Sequence, residues 1–431
     1  MLLLSASQHR RWFICRTARH LNTATGLSAR SVLARDWINE SLYDTSHGYF
    51  SRPASPVGQL PDPIQFSQLS GQQAYLQHLR LWYDTLKVSW LTPAEIFQPH
   101  YGRAIATSIM KKHPEQQPLN IIEVGGGSGR LAEDILDSLQ QYWPSCYRHT
   151  SYTSLEISPH LASAQAEMVL RDGKHTSCYQ VLQQDAVSSS LWDSVDQQPC
   201  VIILMEVLDN LPHDKVWRHS PESDWQETWI QGADPSQGLQ RPKEVMRPVS
   251  DPLIWACLAA AQDLQQDRPS TPWLHAMMDW VLSSVSPEGD ASSQSLWLPT
   301  RCLHLLQRIC RARPNHLLIA ADFDELPDVA LPGQGAPLVA STVDGHTTDH
   351  ASYLVPKGTA DIFFPTDFRL LHHLHHLAHQ GEEAQGQIMK TRVFMEKHAD
   401  LNATRTQSGY NSLLEDFANT SFYLGSAGSY S

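Results

Sequence analysis

Residues 119–130 constrain the fold of this chain more than any other segment. A short apolar run ends at Glu123, and three alternating glycines follow it: Gly125, Gly127 and Gly129. An amphipathic helical pattern then covers residues 129–141. A strand, a glycine turn and a helix in this order open a doubly wound α/β domain that binds a nucleotide at its sheet edge. The glycines allow positive φ and let a ligand approach the backbone.

The spacing of these residues discriminates between cofactors. A dinucleotide site requires G-x-G-x-x-G, but Arg130 stands where its third glycine would be, and the lysine of a P-loop is missing. Glu-x-Gly-x-Gly-x-Gly is typical instead of enzymes that use S-adenosylmethionine, a cofactor with a cationic amino group and a sulfonium. We therefore predict that Glu123 and the three glycines bind S-adenosylmethionine. The alternative is a glycine turn that holds no ligand.

Two further acidic residues follow predicted strands of the same sheet. Glu156 ends the second strand, where a carboxylate can accept hydrogen bonds from both ribose hydroxyls of an adenosine cofactor. Asp185 follows the third strand, where an acid faces the adenine amino group in such enzymes. We predict a cofactor-binding role for both residues. The alternatives are a helix-capping or surface acid for Glu156 and a surface loop for Asp185.

The fourth strand leads into a polar cluster. The apolar run 201–205 is followed at once by Glu206, Asp209 and Asn210. Ligands of open α/β sheets bind outside the carboxyl ends of the strands. We therefore predict that these three residues are catalytic and lie where the methyl group of the cofactor points. The alternative for Asp209 is a cap on a helix that would follow the strand.

Composition restricts the location and the partners of the chain. The first 35 residues contain no acid and six arginines, which is typical of a mitochondrial transit peptide rather than of a secretory signal. We predict that residues 1–35 are such a peptide and that the protein is in the mitochondrial matrix; the alternative is a basic tail.

The chain has 45 acidic and 32 basic residues, which argues against nucleic-acid binding and suits a cationic partner. No apolar run is long enough for a transmembrane helix.

The remaining pattern divides the chain into five parts. After residues 1–35 come a helical N-terminal segment (36–118), the cofactor-binding half of the α/β domain (119–217), an insertion of low periodicity (218–300) with helices near 252–265 and 272–284, and the remainder of the domain with a C-terminal extension (301–425). Strands are predicted at 120–124, 151–156, 179–182, 200–205 and 316–321.

Cysteines and histidines give no sign of a metal site in this pattern. The seven cysteines are scattered and form no C-x-x-C motif, so neither a disulfide framework nor a zinc site is indicated. Five histidines between residues 372 and 379 fall among leucines at helical spacing. We interpret them as one solvated helix face and predict no metal.

Five spaced motifs point to a known family: Ser41–Phe50, Thr92–Phe97 with Tyr101-Gly102, Glu123–Gly129, Glu206–Pro212, and Gly358–Ile362 with Asp367-Phe368. On these motifs the chain resembles the MidA-like family of S-adenosylmethionine-dependent methyltransferases, which includes a mitochondrial protein arginine methyltransferase that assists complex I assembly. The resemblance leaves out residues 1–35 and 218–300. Asn210 stands where the family usually has alanine, and about 40 residues replace a short link between Phe50 and Thr92. These departures indicate a divergent branch.

The resemblance implies a Rossmann-like methyltransferase domain and symmetric ω-N,N′ dimethylation of arginine in a complex I subunit. An arginine guanidinium is always protonated, so carboxylates must hold it. Glu206 and Asp209 are the predicted holders, and Glu95 is a predicted substrate-binding residue of the N-terminal segment. Two alternatives remain: a methyltransferase for another protein or a small molecule, and a non-catalytic assembly chaperone that binds the cofactor or no ligand.

Overall fold

A computed structural model describes residues 31–52, 58–86, 88, 90–233, 241–266, 293–343, 346–379 and 385–426. The strands are β1 (Ser31–Leu33), β2 (Leu119–Val124), β3 (Thr150–Glu156), β4 (Tyr179–Gln183), β5 (Cys200–Met205), β6 (Asp214–Arg218), β7 (Gln226–Gln231), β8 (Lys243–Pro248), β9 (Gln294–Leu298), β10 (His316–Phe323), β11 (Leu338–Val343), β12 (His346–Asp349), β13 (Asp361–Phe363), β14 (Gln385–Lys390) and β15 (Thr420–Ser426).

Helices lie between these strands and before them. They are α1 (Ala34–Tyr43), α2 (Gln72–Leu86), α3 (Pro93–Ile96), α4 (His100–Met110), α5 (Arg130–Tyr142), α6 (Pro144–Tyr147), α7 (Pro159–Val169), α8 (Pro252–Gln266), α9 (Thr300–Ala312), α10 (Phe368–Ala378), α11 (Thr391–His398) and α12 (Ser412–Glu415). None of the helices in the described ranges is both long and apolar enough to cross a membrane.

The central element is a seven-stranded sheet in the order β14-β15-β10-β5-β2-β3-β4. Strands β10, β5, β2, β3 and β4 run parallel, and β15 and β14 extend the edge in antiparallel pairing. The five strands predicted from the sequence are these five parallel strands. The predicted α/β, Rossmann-like doubly wound fold is therefore confirmed.

Both faces of this sheet are buried, because successive side chains of a strand point to opposite faces. Ile121, Ile203 and Ile319 pack on one face with residues of α4, α5 and α11. Their neighbours Ile122, Ile202 and Leu318 pack on the other face with α8, α9 and α10. This is why the central strands have continuous apolar runs rather than alternating ones.

Residues 218–300, for which we expected an insertion of low periodicity, contribute strands to a second sheet. Strands β1, β7, β6 and β9 pair in this order, β8 pairs with β7, and all pairs are antiparallel. The predicted helix at 252–265 is present as α8, whereas the one near 272–284 lies outside the described residues. Strand β1 joins this sheet from residues assigned to the transit peptide. Strand β1 thus lies within the range 1–35, and the removal of that range as a transit peptide stays a prediction.

Arg35, the last residue of that range, pairs with two acidic residues of the folded domain. Its guanidinium donates to Asp214 at 2.7 Å and to Asp251 at 3.0 Å. The Asp214 carboxylate is inaccessible to solvent and also accepts a hydrogen bond from Thr300. A leader that ended at residue 35 would remove the cation that compensates this buried acid.

The histidines of α10 correct another expectation. We expected one solvated face, but His375 is fully buried and His379 is nearly so. Both contact His316, the first residue of β10. Burial lowers the pKa of His316 to about 4. Only His372, His373 and His376 are partly accessible. The histidines at 372–379 therefore divide into a buried set and a partly accessible set.

Candidate active site

The glycine turn after β2 has the backbone geometry that its sequence requires. Gly125, Gly127 and Gly129 have φ values of +69°, +55° and +88°. A Cβ atom at Gly129 would lie 2.8 Å from Cα of Gln165, so this glycine lets α7 approach the turn. A Cβ atom at Gly127 would meet no atom within 4 Å, because Gly127 faces a cavity.

That cavity has a volume of about 360 Å³ and opens at the carboxyl ends of β2, β3 and β5. Its lining includes the glycine turn and four acidic residues, Glu156, Asp185, Glu206 and Asp209. The volume lies within the range of small-molecule sites, roughly 300–1,000 Å³. An open backbone cradle beside a buried carboxylate fits a cofactor with an adenosine and a cationic amino acid part.

Two glutamates support the cradle. Glu123 is buried and accepts hydrogen bonds from Tyr152 at 3.1 Å and Ser154 at 3.0 Å. Glu156 accepts from the backbone N–H of Ser158 and from the Gln165 amide, both at 2.9 Å. Burial raises the pKa of each glutamate to about 7. Glu156 is therefore held in one orientation at the cavity wall, where the ribose role predicted for it remains a prediction.

Gln165 is a site residue that the sequence analysis missed. Its amide joins Glu156 to the carbonyl oxygen of Gly127 at 3.2 Å, so it connects the two halves of the cradle. The signal in the sequence is weak, because a glutamine on an amphipathic helix is ordinary. Only the contact between α7 and the glycine turn makes it part of the site.

Asp185 lines the cavity near its rim, but its carboxylate already has partners. It pairs with Arg301 at 2.5 Å and accepts from the N–H of Val187 at 3.0 Å. These contacts hold the loop after β4 against α9. Recognition of adenine by Asp185 stays a prediction.

Carboxylates form an acidic wall of the same cavity. Glu206, Asp209 and Asp361 all line it, and Asp322 lies behind them, where its carboxylate accepts the N–H of Asp209 at 3.1 Å. Asp322 lies near the carboxyl end of β10 and directly follows the strand predicted at 316–321, so the rule that identified Glu206 applies to it. Asp361 belongs to the motif at 358–362. We assigned neither a role from the sequence. The structure brings these four carboxylates together from three segments of the chain.

Local geometry marks Glu206 as unusual. It has φ of +53°, in the left-handed region that few non-glycine residues occupy. Backbone strain of this kind is concentrated at functional sites, where surrounding structure enforces it. The turn that follows contains no helix and continues to β6, so the alternative that Asp209 caps a helix is wrong.

Asn210 positions the acidic wall. Its amide nitrogen donates to Asp361 at 3.0 Å and to the carbonyl of Ile362 at 3.3 Å. The backbone carbonyl oxygen of Asn210 accepts a hydrogen bond from the hydroxyl of Tyr43 at 3.0 Å. The residue predicted as catalytic therefore ties β13 and the N-terminal segment to the end of β5.

The acidic wall has no internal counter-ion among the described residues. No ion pair in those ranges involves Glu206, Asp209, Asp322 or Asp361. Burial and mutual repulsion raise the pKa values of Glu206 and Asp361 to about 8, and burial also raises the pKa of Asp209. Oδ1 of Asp209 is buried without a hydrogen-bond partner in the described structure. A cation that entered the cavity would compensate these charges.

Aromatic side chains of the N-terminal segment cover the acidic wall. Tyr43 and Phe50 stack with ring centres 5.6 Å apart, and Trp90 meets Phe50 edge to face. All three line the cavity. The motif at 41–50 is thus part of the site, although no role was assigned to its side chains from the sequence.

Glu95 does not reach the cavity, which corrects its predicted role in substrate binding. It is fully buried, and its two oxygens accept from Ser128 at 2.6 Å and from the N–H of Leu60 at 3.0 Å. Arg130 lies 3.8 Å away. Glu95 therefore holds α3 and the preceding loop against the glycine turn. Because both oxygens are engaged, it is a supporting residue.

The fold and this cavity define an S-adenosylmethionine-dependent methyltransferase of the Rossmann-like class. The chain belongs to the Methyltransf_28 family, whose model is described as "Putative S-adenosyl-L-methionine-dependent methyltransferase" and matches residues 101–387. This confirms the family resemblance based on the five motifs and the cofactor predicted from Glu123 and the three glycines.

Relatives agree with this assignment. The chain is 21% identical over 366 residues to the protein arginine methyltransferase NDUFAF7 homolog, mitochondrial, of Schizosaccharomyces pombe, a match that covers 80% of this chain and 76% of the relative. A COG1565 superfamily structure from Burkholderia thailandensis bound to S-adenosyl-homocysteine has a TM-score of 0.61 at 14% identity over 93% of this chain and 89% of its own. The native structure of a COG1565 superfamily protein from the same organism gives 0.57, at 14% identity over 93% and 88%.

Proposed function

We propose that this chain is a protein arginine methyltransferase that forms symmetric ω-N,N′-dimethylarginine. The observation that carries the proposal is the acidic wall of Glu206, Asp209 and Asp361, which faces the same cavity as the cofactor cradle and lacks a counter-ion in the described residues. A guanidinium supplies the missing charge and offers several N–H donors to carboxylates. The relative from S. pombe, a protein arginine methyltransferase by name, supports the same substrate.

The proposed chemistry needs positioning and one proton acceptor. S-adenosylmethionine supplies an electrophilic methyl group when bound. Asp209 and Asp361 hold two guanidinium nitrogens, and this geometry directs the remaining lone-pair density at the methyl group. The attacking nitrogen must lose a proton as it gains a methyl group. Burial raises the pKa of Glu206 to about 8 in the ligand-free protein, and a bound guanidinium favours its ionised form, which can then accept that proton.

The aromatic cover has a role in the same proposal. Tyr43, Phe50 and Trp90 exclude water from the acidic wall, which strengthens the electrostatic interaction with a guanidinium. An aromatic face also attracts a guanidinium directly.

We further propose that the protein acts in mitochondria on a subunit of respiratory complex I. The acid-free, arginine-rich start of the chain supports import, and the S. pombe relative is mitochondrial by name. The resemblance to the MidA-like family supports the complex I subunit. A fluorescent protein fused behind residues 1–40 tests the location, and a cytosolic signal would contradict it.

The activity itself is tested with the full chain and labelled S-adenosylmethionine. Arginine peptides, lysine peptides, a mitochondrial protein extract and a metabolite panel serve as acceptors, and chromatography after acid hydrolysis separates the methylarginines. We expect symmetric dimethylarginine. Label on a metabolite or on lysine would support a different methyltransferase, and cofactor binding without any transfer would support an assembly chaperone. Mass spectrometry of complex I subunits from cells with and without this protein then identifies the modified arginine.

A further inference from the structure

Four metal-binding side chains meet inside the protein, away from the active site. They are Cys310 near the end of α9, His316 at the start of β10, His375 in α10 and His379 immediately after it. All four are buried, with 4%, 0%, 0% and 8% of their surface exposed. One ligand atom of each lies within 4.8 Å of all the others.

This geometry is close to that of a tetrahedral zinc site. Zinc with Zn–N bonds of about 2.0 Å and a Zn–S bond of about 2.3 Å has ligand atoms roughly 3.3–3.6 Å apart. The ligand atoms that are farthest apart therefore need to approach one another by at most about 1.5 Å, and the Nε2 atoms of His316 and His375, which are 2.9 Å apart, need to separate slightly. His375 and His379 are four residues apart, which places them on the same side of the helix. One thiolate and three imidazoles are ligands that zinc accepts.

Hydrogen bonds around the cluster already orient two of the imidazoles. Nδ1 of His316 donates to the carbonyl oxygen of Arg313 at 2.6 Å, which leaves a lone pair on Nε2. That Nε2 lies 2.9 Å from Nε2 of His375, whose Nδ1 lies 2.9 Å from the hydroxyl of Tyr423. Second hydrogen bonds of this kind fix the tautomer and ring orientation of metal-bound histidines.

We propose that Cys310, His316, His375 and His379 bind one zinc ion. Coordination displaces the Cys310 thiol proton to solvent and forms a Zn–S bond. The Nε2 proton that His375 shares with His316 moves to Nδ1 of His375, which then donates to the Tyr423 hydroxyl. Both Nε2 lone pairs then point at the metal.

The position of the site gives it a structural role. His316 begins β10 and Asp322 lies near its other end, so the zinc ion is about 20 Å from the acidic wall of the active site. It joins α9, α10 and β10 through side chains alone. Because the zinc ion binds the folded state and not the unfolded chain, it raises the free energy of unfolding. This increase grows with the logarithm of the zinc concentration.

The test uses the full chain purified without chelators. We expect one zinc ion per chain by mass spectrometry of the metal. Replacement by Co²⁺ is expected to give tetrahedral d–d bands and a thiolate-to-cobalt charge-transfer band, and Cys310→Ser removes the latter. His379→Gln is expected to lose the metal, whereas His373→Gln, on the same helix but outside the cluster, keeps it. Tyr423→Phe keeps the cobalt spectrum and weakens zinc binding roughly 10- to 100-fold.

Several results would overturn the proposal. One is a wild-type chain that takes up no zinc and shows no thiolate band with Co²⁺, a measurement that needs no variant to fold. Another is equal loss of metal in His379→Gln and His373→Gln, or the same melting temperature with and without zinc. Binding of S-adenosylmethionine by calorimetry shows that each variant is folded and keeps this test separate from that of the methyltransferase activity.

Discussion

The amide of Asn210 donates a 3.0 Å hydrogen bond to Asp361, although 151 residues separate the two in sequence. This bond joins the turn after β5 to β13 and so brings the motifs at 206–212 and 358–362 to one wall of the cavity. Both partners line the cavity. Asn210 therefore influences the site through the carboxylate that it holds.

We expect Asn210→Ala to bind S-adenosylmethionine normally and to lose methyl transfer by about tenfold. The substitution removes a hydrogen bond to a charged group, which contributes about 1.5–3 kcal/mol, and part of that loss appears in the transition state. Tyr43 still donates to the backbone of residue 210, so the turn keeps its anchor. Single-turnover methylation and calorimetry measure the two effects. Unchanged transfer would mean that Asp361 needs no such partner.

Gly127→Val is expected to abolish S-adenosylmethionine binding in a folded protein. A β-branched side chain at φ of +55° is strained and also projects into the cofactor cradle. Gly173→Val is the matched control, since Gly173 has φ of +76° and equally open surroundings but does not line the cavity. Calorimetry should show binding for the control alone. Equal loss in both variants would attribute the effect to backbone strain.

The parallel sheet and its cofactor turn could be predicted because their signals are local. Continuous apolar runs identify buried parallel strands, and the alternating glycines identify the turn. Asp322 was also within reach of the rule that polar residues after strands meet at one edge, but we did not apply it to β10. The five-stranded sheet was not predictable in this way, because β1 pairs with β7 in a register that joins Ser31 to Gln231.

The buried histidines show a different limit of sequence reasoning. Leucines and histidines are mixed along α10, and helical periodicity does not say which of the histidines are buried together with the leucines. The packing of α10 against β10 and β15 decides the matter, since it buries His375 against His316 and Tyr423. Glu95 is a similar case. The sequence places its carboxylate near the sheet edge but does not show that Ser128 and the N–H of Leu60 donate to both of its oxygens, which makes it a structural residue.

Removal of Arg35 should destabilise the protein, whereas removal of residues 1–30 should not. Arg35→Met leaves the Asp214 carboxylate buried without its cation, and a broken buried pair costs about 3–5 kcal/mol. A chain that starts at Ser31 keeps both β1 and the pair. Denaturant unfolding compares the three proteins. Equal stability of the Arg35→Met variant and the wild type would show that the hydrogen bond from Thr300 is enough to hold the Asp214 carboxylate.

The acidic wall predicts that the ligand-free protein loses stability as pH rises. Glu206 and Asp361 have pKa values of about 8 in the folded protein, against about 4 in an unfolded chain. Between these values the folded state binds more protons, so the free energy of unfolding falls with increasing pH. Glu206→Gln should make this slope shallower, and an arginine peptide should stabilise the wild type more at pH 8 than a citrulline peptide does. Identical slopes in wild type and variant would contradict the assignment.

Asp209→Asn is expected to keep cofactor binding and to lose most methyl transfer. The substitution preserves shape but replaces a charge-assisted contact with a guanidinium by a neutral one, a difference of about 1.5–3 kcal/mol. A rate loss of about tenfold to a hundredfold follows. Glu206→Gln should also lower the rate, because it removes the proposed proton acceptor, and the double variant should lose less than the sum if both residues act on one guanidinium.

A matched control separates this effect from the removal of any buried charge. Asp134 is also buried, its Oδ2 also has no hydrogen-bond partner in the described structure, and it does not line the cavity. Asp134→Asn should therefore retain normal transfer. Single-turnover methylation of an arginine peptide at saturating cofactor decides between the outcomes. Normal transfer by Asp209→Asn would mean that the acidic wall is part of the scaffold, and equal loss in both variants would point to folding rather than to the substrate.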